Sequence, residues 1–289
     1  MNYLKKAKQF RTKKKLGQNF LIDSNIIQKI ISEAALSKDE TVIEIGSGLG
    51  FVTEELAKIV KKVIAIEIDP DAIRELNSLP YSNIDIINKD ILKTDIFSLV
   101  DVPVKIVANI PYYITSPILA HLLGEIDQTH YKNRESIKEI LLMVQYEVAK
   151  RIIANEKSPS KEYGLLSILL NYWTIPELIM KVNKSSFYPA PKVDSAILKL
   201  KIRQKPAIEL ENPNFFRKII QASFGMRRKN IKNALTQAGF DQKIVFEALT
   251  KANINPNRRG ETLSIDEFKE LTSAFDIIKH EQALNAAFY

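Results

Sequence analysis

Residues 42–50 read Val42-Ile43-Glu44-Ile45-Gly46-Ser47-Gly48-Leu49-Gly50, an apolar strand that runs straight into a loop with glycine at every second position. Glycine lets a ligand approach the backbone closely, because it has no Cβ. The G-x-G-x-G spacing differs from the G-x-G-x-x-G of dinucleotide-binding folds and from that of phosphate-binding loops, so a pyrophosphate ligand is disfavoured. Taken alone, the loop is also compatible with a simple tight turn.

Strand-like and helix-like patterns alternate around this loop. The predicted strands are 41–45, 63–67, 84–88, 104–108 and 140–144, and the predicted helices lie near 25–36, 51–60, 70–79, 116–124 and 147–155. The strands are apolar without alternation, which is typical of strands covered on both faces of a parallel sheet. Two further strand patterns, near 177–182 and 194–202, are close enough to pair antiparallel. The sequence therefore predicts an α/β fold with a Rossmann-like sheet, mostly parallel with an antiparallel edge.

The pattern changes after about residue 205. Helices are predicted near 213–223, 229–238, 243–252 and 264–278, with turn residues between them. We therefore divide the chain into a domain at 1–204, which includes an N-terminal arm at 1–22, and a small helical domain at 205–289.

The N-terminal arm carries most of the excess positive charge. The 289 residues hold 42 Lys and Arg against 34 Asp and Glu, a net charge of +8. Seven basic residues, among them Lys13, Lys14 and Lys15, precede the first acid, Asp23. Such an arm attracts polyanions such as nucleic acid by neutralising phosphates. A solvated, disordered terminus is the alternative.

The first half of the helical domain is also basic. Arg227, Arg228 and Lys229 stand within a stretch, 214–232, that contains no acid. We interpret this stretch as a second phosphate-contacting patch, with a solvated helix face as the alternative.

Composition argues against several classes of protein. The chain has no cysteine and three scattered histidines, so disulfides, thiol chemistry and a His-rich metal site are not expected. No apolar run approaches the roughly 18 residues that a bilayer span needs. The N-terminus lacks the apolar core of a secretory signal and is too Lys-rich and Ser-poor for a transit peptide. We expect a cytoplasmic protein with no metal and no membrane partner.

Acidic residues follow the second and third predicted strands. Glu67 ends the second strand, where an open α/β sheet presents a carboxylate to a ribose diol. Asp90 follows the third strand and could accept a hydrogen bond from an adenine amino group, with Ile68 and Ile91 as apolar walls. Glu67 alone could equally be a helix-capping or surface residue. Together with the glycine loop, these residues indicate an adenosine-containing ligand without phosphates, and S-adenosylmethionine fits that description best.

The fourth strand leads into Asn109-Ile110-Pro111-Tyr112. An adenine N6 amine is a poor nucleophile, because its lone pair is delocalised into the ring. The Asn109 side-chain oxygen and the Ile110 carbonyl could accept the two amine protons and restore the lone pair. Tyr112 could stack on the base, and Pro111 fixes the backbone so that the two acceptors converge. The same four residues could also form an ordinary turn.

This tetrapeptide resembles the N/D-P-P-Y/F motif of methyltransferases that act on exocyclic amino groups. Other segments bring the resemblance closer: Leu16-Gly17-Gln18-Asn19-Phe20-Leu21, Gln145-Tyr146-Glu147-Val148-Ala149, Tyr163-Gly164, Phe187-Tyr188-Pro189-Ala190-Pro191-Lys192-Val193-Asp194-Ser195-Ala196, Phe224-Gly225-Met226-Arg227-Arg228-Lys229 and Leu263-Ser264-Ile265-Asp266-Glu267-Phe268. In this order, from about residue 10 to about residue 272, the chain is similar to small-subunit rRNA adenine dimethyltransferases of the KsgA/RsmA type. The resemblance implies a class I methyltransferase fold and the conversion of two adjacent adenosines in the 3′-terminal hairpin of 16S rRNA to N6,N6-dimethyladenosine.

The motifs and the resemblance together predict the site residues. The cofactor-binding set is Asn19, Leu21, Gly46, Gly48, Glu67, Ile68, Asp90, Ile91 and Asn109. The catalytic set is Asn109, Ile110, Pro111, Tyr112 and Phe187. Tyr112 and Phe187 would stack on the two faces of an adenine flipped out of its RNA context, with core packing as the alternative for Phe187. Lys13, Lys14, Lys15, Arg227, Arg228 and Lys229 would contact the RNA. The expected partner is 16S rRNA in the assembling 30S subunit, and the expected state is a monomer.

Three other functions compete with this prediction. An erythromycin-resistance type enzyme shares the cofactor loop and Asn-Ile-Pro-Tyr but methylates an adenosine of large-subunit rRNA. A binding-only assembly or transcription factor could retain the scaffold without the chemistry, and a DNA adenine methyltransferase would use the same amine chemistry. The entry segment at 16–21, the stretch 193–196 and the motifs of the helical domain favour the small-subunit enzyme.

Overall fold

The computed structural model describes residues 2–159 and 162–287, with side chains up to residue 283. These residues form two compact units. The first unit comprises the chain up to Gly124, His130–Lys150 and Thr174–Ile202. The second comprises Glu125–Thr129, Arg151–Trp173 and the chain from Arg203 onward.

Strands are confined to the first unit in the described ranges. They are β1 (Phe20–Leu21), β2 (Thr41–Ile45), β3 (Lys62–Glu67), β4 (Ile84–Asn88), β5 (Val104–Asn109), β6 (Ile137–Gln145), β7 (Thr174–Val182), β8 (Phe187–Tyr188) and β9 (Ser195–Ile202). Seven of them form one sheet in the order β4-β3-β2-β5-β6-β9-β7. The pairs from β4 to β6 are parallel, and β9 pairs antiparallel with both β6 and β7. The predicted α/β sheet with its antiparallel edge is confirmed.

Helices connect these strands and make up most of the second unit. They are α1 (Tyr3–Gln9), α2 (Ser24–Ala34), α3 (Phe51–Ala57), α4 (Pro70–Asn77), α5 (Thr115–Leu123), α6 (Lys132–Glu135), α7 (Tyr146–Ile153), α8 (Leu165–Trp173), α9 (Pro213–Gly225), α10 (Ile231–Gln237), α11 (Gln242–Lys251) and α12 (Ile265–Ala287). Two of the helices that were not predicted, α1 and α8, have simple causes. The Asn2 side chain accepts from the Lys5 N–H and caps α1, whereas α8 is too uniformly apolar to show a helical period.

The centre of the sheet is buried on both faces. Val42, Ile43 and Ile45 in β2 are at most 2% exposed, and Val63 and Ile106 in the neighbouring strands are fully buried. Covering both faces explains why these strands are apolar without alternation. The sheet therefore holds the loops at its carboxyl edge on a rigid support.

The N-terminal arm is folded against the first unit. Ala7 is fully buried in that unit's core, and the rings of Tyr3 and Phe51 lie 4.7 Å apart. Farther along, β1 pairs antiparallel with β8, with Phe20 opposite Tyr188. The arm is thus an ordered part of the first unit, in place of the solvated terminus that the sequence left open.

The helical unit is larger than the predicted domain at 205–289. Tyr163, Ile168 and Tyr172 belong to the same buried cluster as Phe216 and Phe268. Because these apolar side chains share one core, 151–173 folds with the helical unit, as does the short segment 125–129. The chain passes between the two units several times, and the predicted boundary at 204/205 corresponds only to the last of these points.

Among the described helices, none is both long enough and apolar enough to cross a membrane.

Candidate active site

One cleft in the first unit is bordered by the carboxyl ends of β2, β3 and β5 and by the turn that follows β4. Its walls are formed by Leu16, Gly17, Gln18, Asn19, Phe20, Ile45, Gly46, Gly48, Ile66, Glu67, Ile68, Lys89, Asp90, Ile91, Leu92, Asn109, Ile110, Pro111, Tyr112, Tyr113, Ile114 and Ile118. Open α/β sheets bind ligands at this edge. The cleft brings together every predicted cofactor and catalytic residue except Leu21 and Phe187.

Glu67 is held by the backbone on both of its oxygens. The Gly48 N–H donates to Oε2 at 2.8 Å, and the N–H groups of Ile68 and Asp69 donate to Oε1 at 2.9 Å. Burial raises the pKa of Glu67 above its ordinary value, against the effect of these three donors. The carboxylate is therefore fixed in position before any ligand arrives.

The glycine loop packs against the end of β5. Gly46 has φ +75°, and a Cβ at this position would lie 2.7 Å from the Asn109 backbone oxygen. Only glycine satisfies both the backbone conformation and this close approach. The loop that would face a cofactor and the tetrapeptide that begins at Asn109 are thus in direct contact.

An apolar surface with an acid beside it lies next to Glu67. Ile68 lines the cleft while remaining 47% exposed, and Ile91 forms the wall near it. One oxygen of Asp90 accepts from the Leu92 N–H at 3.0 Å, which places the carboxylate at the start of a 3₁₀ turn. A flat apolar ring that carries an amino group fits such a surface.

Asn109 and Ile110 present acceptors that the protein itself does not use. Within residues 2–159 and 162–287, neither the Asn109 side chain nor the Ile110 carbonyl takes part in an intramolecular hydrogen bond. Both residues line the cleft, and Pro111 follows with φ −60°. The two acceptors are available to a ligand that offers two protons, as an aromatic amine does.

Two tyrosines follow these acceptors. Tyr112 is partly buried, its hydroxyl hydrogen-bonds to the Ser195 hydroxyl, and burial raises the pKa of Tyr112. Tyr113 is 65% exposed at the cleft edge, where its hydroxyl donates to the Lys15 carbonyl at 3.3 Å. Tyr113 was not among the predicted residues, although its position directly after Tyr112 could have indicated that it borders the cleft.

The N-terminal segment Leu16–Phe20 forms one wall of the cleft. A Cβ at Gly17 would lie 3.1 Å from the Tyr113 ring. Of this wall only Asn19 was predicted. The positive φ of Gly17, +60°, marks the tight turn that brings the segment over the cleft, and a glycine in an otherwise lysine-rich stretch was the available clue.

Lys13 ties this wall of the cleft to the acidic residues at the start of α4. Its ammonium contacts both Asp69 and Asp71, the latter at 2.6 Å, and Gln18 donates to Asp69 at 2.6 Å. The hydrogen bonds with these acids raise the pKa of Lys13, and Lys13 lowers the pKa of Asp71. Two carboxylates pair with Lys13 in this structure, and its contact with RNA stays a prediction.

The neighbouring Lys14 and Lys15 are exposed, as the predicted RNA contact requires.

Leu21 and Phe187 lie outside the walls of the cleft. Leu21 pairs with Phe187 in the β1–β8 ribbon, and both are 2% exposed within the core of the first unit. The packing interpretation of Phe187 therefore describes this structure. A ring this buried has to turn outward before it can stack on an adenine, so its stacking role stays a prediction.

The three basic residues of the helical unit differ from one another. Arg227 donates to the Tyr163 carbonyl at 2.6 Å and pairs with Glu261, so it braces its own unit. All three side chains are exposed, and among the described residues Arg228 and Lys229 lack the contacts that Arg227 makes within its unit. The phosphate contact of all three stays a prediction, with an additional structural role for Arg227.

Glu44 is a buried acid that sequence reasoning did not single out. It lies in β2, 3% exposed, and accepts a hydrogen bond from the Thr53 hydroxyl. Burial, to which the nearby charge of Glu67 adds, raises the pKa of Glu44 to about 7. A carboxyl so placed holds its proton well above the ordinary range.

In the described part of the chain, no group of three or more His, Asp or Glu residues is arranged to hold a metal ion.

The strand order and the position of the cleft define the class of protein, a Rossmann-like methyltransferase. Two solved structures share this fold. A dimethyladenosine transferase from Plasmodium falciparum has a TM-score of 0.71 and 28% identity, covering 88% of this chain and 96% of that one. The 23S rRNA methyltransferase ErmE has a TM-score of 0.65 and 28% identity, covering 89% of this chain and 100% of that one.

Sequence comparison narrows the class to one family. The family model described as ribosomal RNA adenine dimethylase matches residues 9–276. The ribosomal RNA small subunit methyltransferase A of Bacillus mycoides (strain KBAB4) is 43% identical over 282 residues, 93% of each chain. The chain belongs to the ribosomal RNA adenine dimethylase family.

Proposed function

We propose that this protein transfers methyl groups from S-adenosylmethionine to N6 of two adjacent adenosines in the 3′-terminal hairpin of 16S rRNA during small-subunit biogenesis. The product is N6,N6-dimethyladenosine. The observation that carries the proposal is the pair of unused acceptors at Asn109 and Ile110, which share a cleft with the fixed carboxylate of Glu67. Family membership and the 43% identity to a small-subunit enzyme support the choice of substrate.

The residues of the cleft fit the chemical groups of S-adenosylmethionine. Gly46 leaves no Cβ between the loop and the end of β5, Glu67 offers a positioned acceptor for ribose hydroxyls, and Ile68 presents an exposed apolar face for adenine. Asp90 stands beside that face to accept from an adenine amino group. When bound, the cofactor supplies an electrophilic methyl group on a sulfonium.

The residues of the chain activate the acceptor amine. The Asn109 side-chain oxygen and the Ile110 carbonyl take the two N6 protons as hydrogen bonds, which draws the nitrogen toward a tetrahedral geometry and localises its lone pair. Tyr112 stacks on the base and keeps the amine against these acceptors. Methylation makes the nitrogen much more acidic, so its proton leaves without a dedicated side-chain base.

The second methylation on each adenosine uses the same residues with one proton fewer. A monomethylated amine offers one N–H, so only one of the two acceptors is bonded while the cleft also holds the first methyl group. Because both acceptors belong to adjacent residues, Asn109 and Ile110, the amine keeps a partner whichever way its methyl group points.

The contact with RNA is assigned to exposed cations. Lys14 and Lys15 lie beside the cleft wall in the first unit, and Arg228 and Lys229 belong to the helical unit. We place the reaction in the cytoplasm, on the assembling 30S subunit, with the protein acting as a monomer.

The test measures methyl transfer from labelled S-adenosylmethionine to undermethylated small subunits and, in parallel, to large subunits, with nucleoside analysis of the products. We expect dimethyladenosine in the 3′-terminal hairpin of the small-subunit RNA. Label confined to the large subunit would instead identify an enzyme of the erythromycin-resistance type, to which the likeness with ErmE also points. Subunit binding without label would identify a binding-only factor.

A further inference from the structure

Ser195 contacts Tyr112, the residue proposed to stack on the base, from outside the cleft. Its hydroxyl hydrogen-bonds to the hydroxyl of Tyr112, which lies 83 residues earlier in the chain. Tyr112 belongs to the loop that follows β5, whereas Ser195 is the first residue of β9. The bond therefore ties a loop of the cleft to a strand two positions away in the sheet, across β6.

Ser195 is a rigid attachment point. It is fully buried and sits opposite Gln145 in β6 and Val182 in β7, so strands hold it on both sides. The preceding residue is fixed as well, since the Asp194 carboxylate pairs with Lys181 at 2.8 Å and accepts from the Lys184 N–H at 3.1 Å. A hydroxyl held in this way restricts any group that bonds to it.

The backbone of Tyr112 is held by its own segment, but its ring is not. Tyr112 begins a 3₁₀ turn, Tyr112–Ile114, outside the sheet, and its carbonyl accepts from the Thr115 hydroxyl at 3.1 Å. These contacts fix the main chain and leave the direction of the ring to the side-chain torsions. The bond to Ser195 secures the far end of the ring and so sets the plane that faces the cleft. Stacking on a base depends on that plane, because the attraction between rings falls away when they tilt or separate.

We propose that Ser195 is a positioning residue for methyl transfer, acting through Tyr112. The proposal rests on the function proposed above, because it takes Tyr112 as the residue that stacks on the target adenine. Ser195 itself touches neither the base nor the cofactor, and it is not one of the cleft-lining residues.

The chemistry of the pair predicts a non-additive response to substitution. Ser195→Ala leaves the part-buried Tyr112 hydroxyl without its partner, and Tyr112→Phe keeps the stacking ring but leaves the fully buried Ser195 hydroxyl unpaired. Leaving one partner unpaired is more costly than losing both together. The double variant leaves neither hydroxyl unpaired, so its kcat should fall no further than that of Ser195→Ala alone.

The experiment is a double-mutant cycle on Ser195→Ala and Tyr112→Phe in the full chain, with initial rates of methyl transfer to undermethylated small subunits. Ser136→Ala is the matched control, because Ser136 is also a buried serine of the first unit but its hydroxyl donates to the Lys132 carbonyl, away from the cleft residues. We expect each single variant to lower kcat about five- to tenfold, with KM for S-adenosylmethionine unchanged and the double variant no slower than Ser195→Ala. The control should retain the wild-type rate.

Several results would overturn the proposal. Losses that multiply in the double variant, or a wild-type kcat for Ser195→Ala, would show that the bond does not position the ring. An equal fall for Ser136→Ala would show a general packing effect. If Ser195→Ala fails to fold, Tyr112→Phe still decides the matter, because an unchanged kcat in that variant means that the hydroxyl is dispensable. Failure of the function itself is distinct, since the wild-type protein would then label no small subunits.

Discussion

The two sides of the cleft are built on opposite principles. At Glu67 the protein supplies three backbone donors of its own, so the carboxylate is fixed and largely satisfied. At Asn109 and Ile110 the acceptors have no partner among the described residues. The first side is suited to holding a ligand that stays in place, because its geometry is settled in advance. The second is suited to a group that is altered during the reaction, because its hydrogen bonds are reserved for that group.

The largest expected effect is on the open side. Asn109→Ala removes one amine acceptor, and we expect kcat to fall about 10²- to 10³-fold, the usual cost of losing one preorganised polar group at a reacting centre. Cofactor affinity, measured by calorimetry, should fall much less than kcat, because Asn109 is one of several residues assigned to the cofactor but one of only two assigned to the amine. Asn109→Asp keeps an acceptor oxygen and should retain far more activity. A wild-type rate for Asn109→Ala would remove the distinction between the two sides.

A smaller effect is expected on the fixed side. Glu67→Gln replaces one carboxylate oxygen by an amide group that faces a backbone N–H, so the loop and the ribose position are both disturbed. We expect affinity for S-adenosylmethionine to fall on the order of 10- to 100-fold, about 1.4 to 2.8 kcal/mol, with kcat at saturation changing less. Glu75→Gln is the control, because Glu75 is a partly exposed acid on α4 that pairs with Lys6 away from the cleft. A fall in kcat with unchanged affinity would contradict this assignment.

Glu44, the buried acid in β2, should make the free energy of unfolding depend on pH. Its folded-state pKa of about 7 lies above the ordinary value of 4.5, so between these values the native protein holds a proton that the unfolded chain has released. Stability should therefore fall as pH rises, by about 2 kcal/mol between pH 5 and pH 7 from this group. Denaturant unfolding of the wild type and of Glu44→Gln at several pH values gives the free energy of unfolding against pH for each protein. The contribution of Glu44 is the difference between the slopes of these two curves. Equal slopes would mean that the pKa of Glu44 is the same in the folded and unfolded protein.

The smallest effect concerns the exposed cations. Replacing Arg228 and Lys229 with alanine should weaken RNA binding and lower the log-log salt slope by about 0.7 for each lost contact to single-stranded phosphate, or nearer 0.9 on a duplex-like site. Arg227→Ala should instead lower the unfolding temperature, because the Tyr163 carbonyl loses its donor. An unchanged slope for the double variant would place Arg228 and Lys229 on a solvated face.

Features that depend on near neighbours in the chain were predictable from the sequence. The alternation of strands and helices, the acid at the end of β3 and the tetrapeptide at the end of β5 are local patterns, and the structure places each at the same edge of one sheet. The cleft followed from them, because parallel strands present their carboxyl ends together.

Features that depend on distant partners were not predictable. The pairing of Lys13 with Asp69, the burial of Leu21 against Phe187 and the bond from Tyr112 to Ser195 each join segments far apart in the sequence. Arg227 is a similar case, since its charge suggested RNA while its geometry serves Tyr163. Composition reports that a charge is present, but only the fold determines what neutralises it.

The β1–β8 ribbon has a consequence for how the protein is made. Phe20 emerges from the ribosome early, but its partner Tyr188 lies far along the chain. The cleft wall at 16–20 is held by this pairing as well as by the contacts of Lys13 and Gln18 with Asp69. At a synthesis rate of roughly 5–20 residues per second, Phe20 waits on the order of ten seconds for Tyr188. The parallel core from β2 to β5 is available much sooner. Nascent chains should therefore acquire a folded sheet first and the complete active site only late in translation, and we expect a product truncated before Tyr188 to lack methyl transfer.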